Sequence, residues 1–258
     1  MADAKTVTQK NVEQFTQQAA DYSRLALNAP SNRRTLLRDA LSPTPDDLAL
    51  DIACGTGAAT LALAPSVQRI VGLDATPAML DEARANQQRE GLNNIEWREG
   101  DVYNLPFEDG AFSIVLCQSA FHHFARPRDV IAEMARVCRP GGRIAISDVT
   151  PAPDKVKAYD EIEIMRDPSH THAFTLQELR ALPEGLPLAE SLVQPGITPH
   201  MPFESILRAS RPTEHSLDEI RALLREDART GADHWGFSAK LENDDLMVAY
   251  PMSIVVWR

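Results

Sequence analysis

Cysteine is scarce in this chain of 258 residues: there are three, Cys54, Cys117 and Cys138. An odd number of widely spaced thiols draws neither a disulfide framework nor a CxxC metal set. They read as buried thiols in a reducing compartment. Long apolar runs are missing as well. None approaches the ~20 residues that cross a bilayer, and Met1-Ala-Asp-Ala-Lys-Thr lacks the apolar core of a secretory signal. Both features predict a cytoplasmic protein. Basic charge is short: 26 Lys and Arg stand against 37 Asp and Glu, a net charge of -11. Such a surface repels phosphate backbones and anionic lipid, so neither nucleic acid nor a membrane is an expected partner. Repeats and low-complexity tracts are also lacking. What is present is ordinary for a globular chain, with 43% hydrophobic residues and enough apolar material for a substantial core.

The patterning starts helical. Val12, Phe15, Ala19 and Tyr22 share one helical face over residues 11–22. A second helix is expected from Pro30 through Arg33 to Leu41, ended by Ser42-Pro-Thr-Pro. Then short apolar runs alternate with helical stretches. Strands are predicted over 48–53, 69–74, 94–99, 112–117 and 143–148, with helices over 58–64, 77–90 and 127–137. Thr76-Pro77 is a cap followed by a proline at the first helical position. Arg139-Pro-Gly-Gly142 reads as a tight turn before the fifth strand. This alternation predicts an α/β fold, a Rossmann-like, mostly parallel sheet with helices on both faces. After Asp148 helices dominate, with a sixth strand near 188–193, helices over 203–230 broken at Arg211-Pro212, and an added C-terminal strand over 250–257. Asp244-Asp245 reads as a solvated turn. We expect a single domain over 1–258: a helical cover (1–45), a cofactor core (46–150), helical insertions around strand six (151–235) and a C-terminal strand region (236–258).

The sharpest local signal is Asp51-Ile-Ala-Cys-Gly-Thr-Gly57, where a strand gives way to a helix. Glycines there let the backbone approach a ligand closely. Asp74 follows Gly55 by 19 positions, at the end of strand two, where a carboxylate can accept both hydroxyls of a ribose. Two cofactor classes use this layout. A dinucleotide site wants GxGxxG or GxGxxA, and Thr60 at the third position weakens that reading. Asp51, at the foot of the loop, sits poorly beside a pyrophosphate. It suits a cofactor with a cationic amino-acid tail and no phosphate.

The chain resembles the class I S-adenosylmethionine-dependent methyltransferases. Leu50-Asp-Ile-Ala-Cys-Gly-Thr-Gly57 is similar to their first motif, with Ala53 in place of the commoner glycine. Val71-Gly-Leu-Asp-Ala-Thr-Pro-Ala-Met-Leu80 resembles the second-strand motif, and Glu99-Gly-Asp-Val-Tyr-Asn-Leu-Pro-Phe107 the adenine segment. Phe112-Ser-Ile-Val-Leu-Cys-Gln-Ser-Ala-Phe-His-His-Phe124 resembles strand four with the loop facing the methyl donor, and Arg139-Pro-Gly-Gly-Arg143 the turn before strand five. Asp167-Pro-Ser-His170, Phe174-Thr-Leu-Gln-Glu-Leu and Pro202-Phe-Glu-Ser-Ile-Leu resemble segments of bacterial enzymes grouped with the ubiquinone/menaquinone C-methyltransferases.

The resemblance implies S-adenosylmethionine as cofactor, a small-molecule acceptor, and a monomer or homodimer. It implies that Asp51, Ala53, Gly55 and Gly57 frame the amino-acid end. Asp74 would bind the ribose, beside Ala75 and Met79, and Asp101 with the Val102 amide would bind adenine. Gln118 would lie near the methyl group, and Tyr22 or Phe15 would close the pocket from the N-terminal helix. Methyl transfer needs mainly alignment of acceptor and methyl, and a base only where the acceptor must lose a proton. His122 is the first candidate base and His170 the second. His170 and His172 form an HxH pair without a third ligand, so no metal site is expected. An NAD-dependent oxidoreductase and a fold that binds S-adenosylmethionine without methylating stay as alternatives.

Overall fold

Apolar runs too short to be helices, buried on both faces, build the centre of the molecule. The computed structural model describes residues 4–28 and 31–258, so Pro30 and the first three residues lie outside it. Strands β1 (Leu48–Ile52), β2 (Arg69–Asp74), β3 (Ile95–Glu99), β4 (Phe112–Gln118) and β5 (Cys138–Val149) are parallel neighbours in the order β3-β2-β1-β4-β5. Helices α3 (Ala58–Leu63), α4 (Pro77–Glu90) and α5 (Pro127–Val137) join them. The strand order reverses between β1 and β4. In open α/β sheets, a crevice at the carboxyl ends of such strands is the natural ligand site.

The C-terminal strand β10 (Pro251–Trp257) is not an edge strand. It lies antiparallel between β5 and β6 (Glu190–Ile197) and completes a seven-stranded sheet. That position explains its run of apolar residues, since Ile254 to Trp257 are all buried. Strand β6 starts and ends further along the chain than the predicted 188–193. Residues 139–142 are not a turn outside the sheet. Cys138 already pairs with Phe112, and the register shifts before Ile114 pairs with Arg143, so the segment is a bulge within one long strand.

Helix α1 (Ala4–Asn28) runs well beyond the predicted 11–22, and α2 (Ser31–Leu41) follows it. Beyond β5 a second apolar cluster forms. Helices α6 (Val156–Arg166), α8 (Phe203–Arg208) and α9 (Leu217–Thr230) supply Tyr159, Ile162, Phe203, Ile206, Ile220 and Leu224 to it. The short helix α7 (Leu176–Ala181), opened by a Thr175–Glu178 capping box, packs instead on the main core. A small antiparallel sheet, β7 (Met201–Pro202), β9 (Asp245–Val248) and β8 (Lys240–Glu242), covers part of the second cluster. Asn243 and Asp244 have φ values of 51° and 69°, as a tight hairpin requires, so the acidic run is a turn whose Asp245 already begins a strand.

Candidate active site

A cavity opens at the carboxyl ends of β1, β2 and β4, roofed by α1 and continuing towards the second apolar cluster. The turn after β1 forms one wall. Its backbone is anchored by Cys54 N–H donating to the Leu73 carbonyl at 3.0 Å. Ala53 holds φ at 49°, a left-handed conformation that glycine adopts without cost and alanine does not. Burial pushes the Cys54 thiol pKa well up, as expected of a packing residue and not of a nucleophile.

Asp51 is 1% exposed and lines the cavity. Its Oδ2 accepts from the Thr60 hydroxyl at 2.6 Å, while Oδ1 is buried without a partner. Burial raises its pKa to about 7, the Thr60 bonds oppose the rise, and the Asp74 charge adds to it. The third position of the glycine run therefore carries a hydroxyl that orients the acid, and not a small residue packing a helix. Asp74, at the end of β2, accepts from the Gly55 N–H at Oδ2 and from the Thr76 N–H at Oδ1, both at 2.8 Å. Burial raises its pKa, and these backbone bonds offset part of the rise. The carboxylate thus also holds the glycine turn in shape.

Ala75, Met79, Asp101, Val102, Gln118 and Tyr22 join the cavity wall with Ala53 and Gly55. Gly57 does not. It caps α3 at φ 85°, and a Cβ there would come within 2.5 Å of the Trp97 ring, so packing and turn geometry account for the glycine. Asp101 turns one oxygen to the Tyr103 N–H at 3.0 Å.

The roof comes from one face of α1. Phe15 meets the His123 ring edge-on at 5.0 Å and Tyr22 at 6.1 Å, and both line the cavity. Ser23 and Asn86 exchange hydrogen bonds, and Asn86 also donates to the Thr56 carbonyl of the glycine turn. At the other end, Asn11 donates to the His123 carbonyl at 3.1 Å. Sequence patterning picked the apolar members of this face and passed over Asn11 and Gln18, which also line the cavity. The spacing 11, 15, 18, 22 carries the signal.

Beyond β4, a short turn over Phe121–His123 presents two histidines. Nδ1 of His122 lies 2.6 Å from Asp148 Oδ1. The other Asp148 oxygen accepts from the Phe121 N–H at 2.7 Å. Burial alone would lower the His122 pKa, but the Asp148 charge and hydrogen bond outweigh it, and the value is raised. His122 lines the cavity. His123 does too, but burial and the His122 charge push its pKa down to about 3.

His170 is elsewhere. It is fully buried outside the cavity lining, with Nε2 2.7 Å from Asp160 and Nδ1 without a partner. His172 reaches the other oxygen of the same carboxylate at 3.0 Å. The HxH pair therefore clamps Asp160, and among the described residues no group of three or more His, Cys, Asp or Glu is placed to hold a metal ion. The Asp167-to-His170 segment contributes through Asp167 itself, which lines the cavity with Glu163 and Arg166. Thr171 locks the segment onto the His122 carbonyl by its N–H and its hydroxyl.

A switch-point crevice with a glycine turn and a second-strand carboxylate defines a Rossmann-like protein that binds a nucleoside cofactor. The comparisons agree with that class and narrow it. The model of a methyltransferase domain matches residues 50–146. The uncharacterized methyltransferase YcgJ of Bacillus subtilis is 33% identical over 184 residues, 67% of this chain and 73% of its own length. Its crystal structure superposes with a TM-score of 0.75 at 25% identity, covering 88% of this chain and 97% of that one. A demethylmenaquinone methyltransferase of Deinococcus radiodurans is 40% identical over 122 residues, and this chain spans only 49% of its length. The chain belongs to this methyltransferase family, the S-adenosylmethionine-dependent enzymes that its motifs resemble. No helix among the described residues is long and apolar enough to cross a membrane.

Proposed function

We propose that this protein transfers the methyl group of S-adenosylmethionine to a small-molecule acceptor inside the cavity roofed by α1, in the cytoplasm. The observation that carries the reading is Asp51 Oδ1, a buried carboxylate oxygen with no protein partner, set in the cavity wall. An ammonium completes it, and a pyrophosphate would be repelled by it. The nicotinamide-dinucleotide alternative is disfavoured by the same atom.

Bound there, the cofactor supplies an electrophilic methyl on a sulfonium with a good neutral leaving group. In this reading Asp74 offers its remaining lone pairs to the ribose hydroxyls, and Asp101 with the Val102 amide meets the adenine. Ala53, Gly55, Ala75, Met79 and Gln118 shape the wall, and Phe15 and Tyr22 keep water out. His122 serves as base for an acceptor that has a proton to lose. The Asp148 carboxylate fixes the ring through Nδ1 and leaves Nε2 for the acceptor. The acceptor occupies the end of the cavity bounded by Val149, Met201, Ile206 and Tyr250. The four-part division at residues 45, 150 and 235 follows this reading: cover, cofactor core, acceptor-side insertions and C-terminal strands. Calorimetric titration with S-adenosylhomocysteine and with NAD tests it. Binding of the first and not the second is expected, and the reverse would overturn the proposal.

A further inference from the structure

Two polar atoms in different walls of the cavity are buried without a protein partner and are opposite in kind. Asp51 Oδ1, on β1, accepts when the carboxylate is ionised; Gln18 Nε2, on α1, can only donate. Gln18 is 1% exposed and lines the cavity. A buried N–H left unpaired is costly, and a bound ligand that accepts from it removes the cost.

The path of α1 says which part of a ligand lies below Gln18. Ser23, further along the helix, is tied through Asn86 to the glycine turn. Asn11, nearer its start, is tied to the turn carrying His122 and His123. At ~1.5 Å per residue, Gln18 sits ~7.5 Å from the first anchor and ~10.5 Å from the second. It therefore hangs over the stretch between the glycine turn and the transfer site. A carboxylate has only acceptor atoms and pairs with Gln18 and not with Asp51. An ammonium has only donors and pairs the other way. Asn11 Oδ1, a third unpartnered atom in the wall, is an acceptor and is unsuited to a carboxylate.

We infer that Gln18 donates through Nε2 to the carboxylate of an α-amino-acid group whose ammonium rests on Asp51, so that α1 reads the amino-acid end of S-adenosylmethionine. This rests on the reading of the site given above. The test is calorimetry of the full chain, wild type, Gln18→Leu and Gln18→Glu, against two ligands. S-adenosylhomocysteine carries the amino-acid end; 5′-methylthioadenosine keeps adenosine and sulfur but lacks that end. Gln18→Leu should weaken S-adenosylhomocysteine about 10- to 100-fold, as for a lost hydrogen bond to a charged group, and leave methylthioadenosine unchanged. Gln18→Glu should weaken the first ligand further by carboxylate repulsion. Unliganded Gln18→Leu should melt no lower than wild type, because it removes an unpaired buried amide. Normal S-adenosylhomocysteine binding in Gln18→Leu, or equal losses for both ligands, would overturn the inference alone. If wild type binds neither ligand, the reading of the site falls and this inference with it.

Discussion

Asp51 occupies a position that the empty protein holds at a cost. Its folded pKa of about 7 lies above the 3.8 of an ordinary aspartate. Its contribution to stability is therefore complete below about pH 3.8 and is lost as pH rises through 7. An ammonium binds the ionised form, so affinity for S-adenosylhomocysteine should rise with pH up to about 7 and level off above it. Asp51→Asn should bind it about 10- to 100-fold more weakly, with that pH dependence gone. It should also remove the loss of unliganded stability between pH 4 and 7. Calorimetry and denaturant titration across that range read both effects, and unchanged affinity would refute the ammonium assignment. His122 is the second residue with a defined expectation. As a base it must be neutral, and its pKa is raised by Asp148. Turnover should therefore climb with pH through a value above that of an ordinary histidine. His122→Gln should lower turnover roughly 10²- to 10⁴-fold, the usual worth of a positioned base, with cofactor affinity retained. A flat pH profile and near-normal turnover in the variant would instead assign the reaction to alignment alone.

Among the elements, α1 is the one with a conditional role. Its side chains bond to surrounding turns and helices: Asn11 to the His123 carbonyl, Gln14 to the Arg211 carbonyl, Ser23 to Asn86, and an ion pair from Asp21 to Arg211. Its amides should gain hydrogen-exchange protection when S-adenosylhomocysteine binds, while those of β1 and β4 are protected with or without it. Equal exchange of α1 in both states would make it packing only. Elements also show where sequence patterning stops. Strands β1, β2, β4 and the second half of β5 were legible because both-face burial writes an apolar run. The edge strand β3 was legible because Ile95 and Trp97 alternate with charged residues, and α4 and α5 because a proline marks each start. Strands β7, β8 and β9 have two to four residues each, too few for a period, and two of them pair across a two-residue hairpin in an acidic stretch. The bulge at residues 139–142 reads locally as Pro-Gly-Gly turn chemistry, and only the pairing of Cys138 with Phe112 shows that the strand has begun.

At the scale of the whole molecule, the site is where two apolar clusters meet. The cofactor side belongs to the core of the parallel sheet, and the far side to the cluster built by α6, α8 and α9. The first side was legible from short-range spacing: Asp51, Gly55 and Asp74 lie in motifs of fixed length. The second depends on partners distant in sequence. His170 looked like a site residue because its neighbours match a motif, yet Asp160, ten residues upstream, draws its ring away from the cavity. Gly57 looked like a ligand contact, yet Trp97 on β3 explains it. Gln18 was missed because an apolar face draws attention to its apolar members. Methylation of a small molecule in this cavity is open to direct test. The most direct measurement is to incubate the protein with a low-molecular-mass metabolite extract and S-adenosylmethionine labelled in its methyl group, and to follow the label by mass spectrometry. Label is expected in at least one metabolite with wild type and markedly less with Asp51→Asn. Stable S-adenosylmethionine binding with no labelled product from diverse extracts would contradict it and point to a protein that binds the cofactor without methylating.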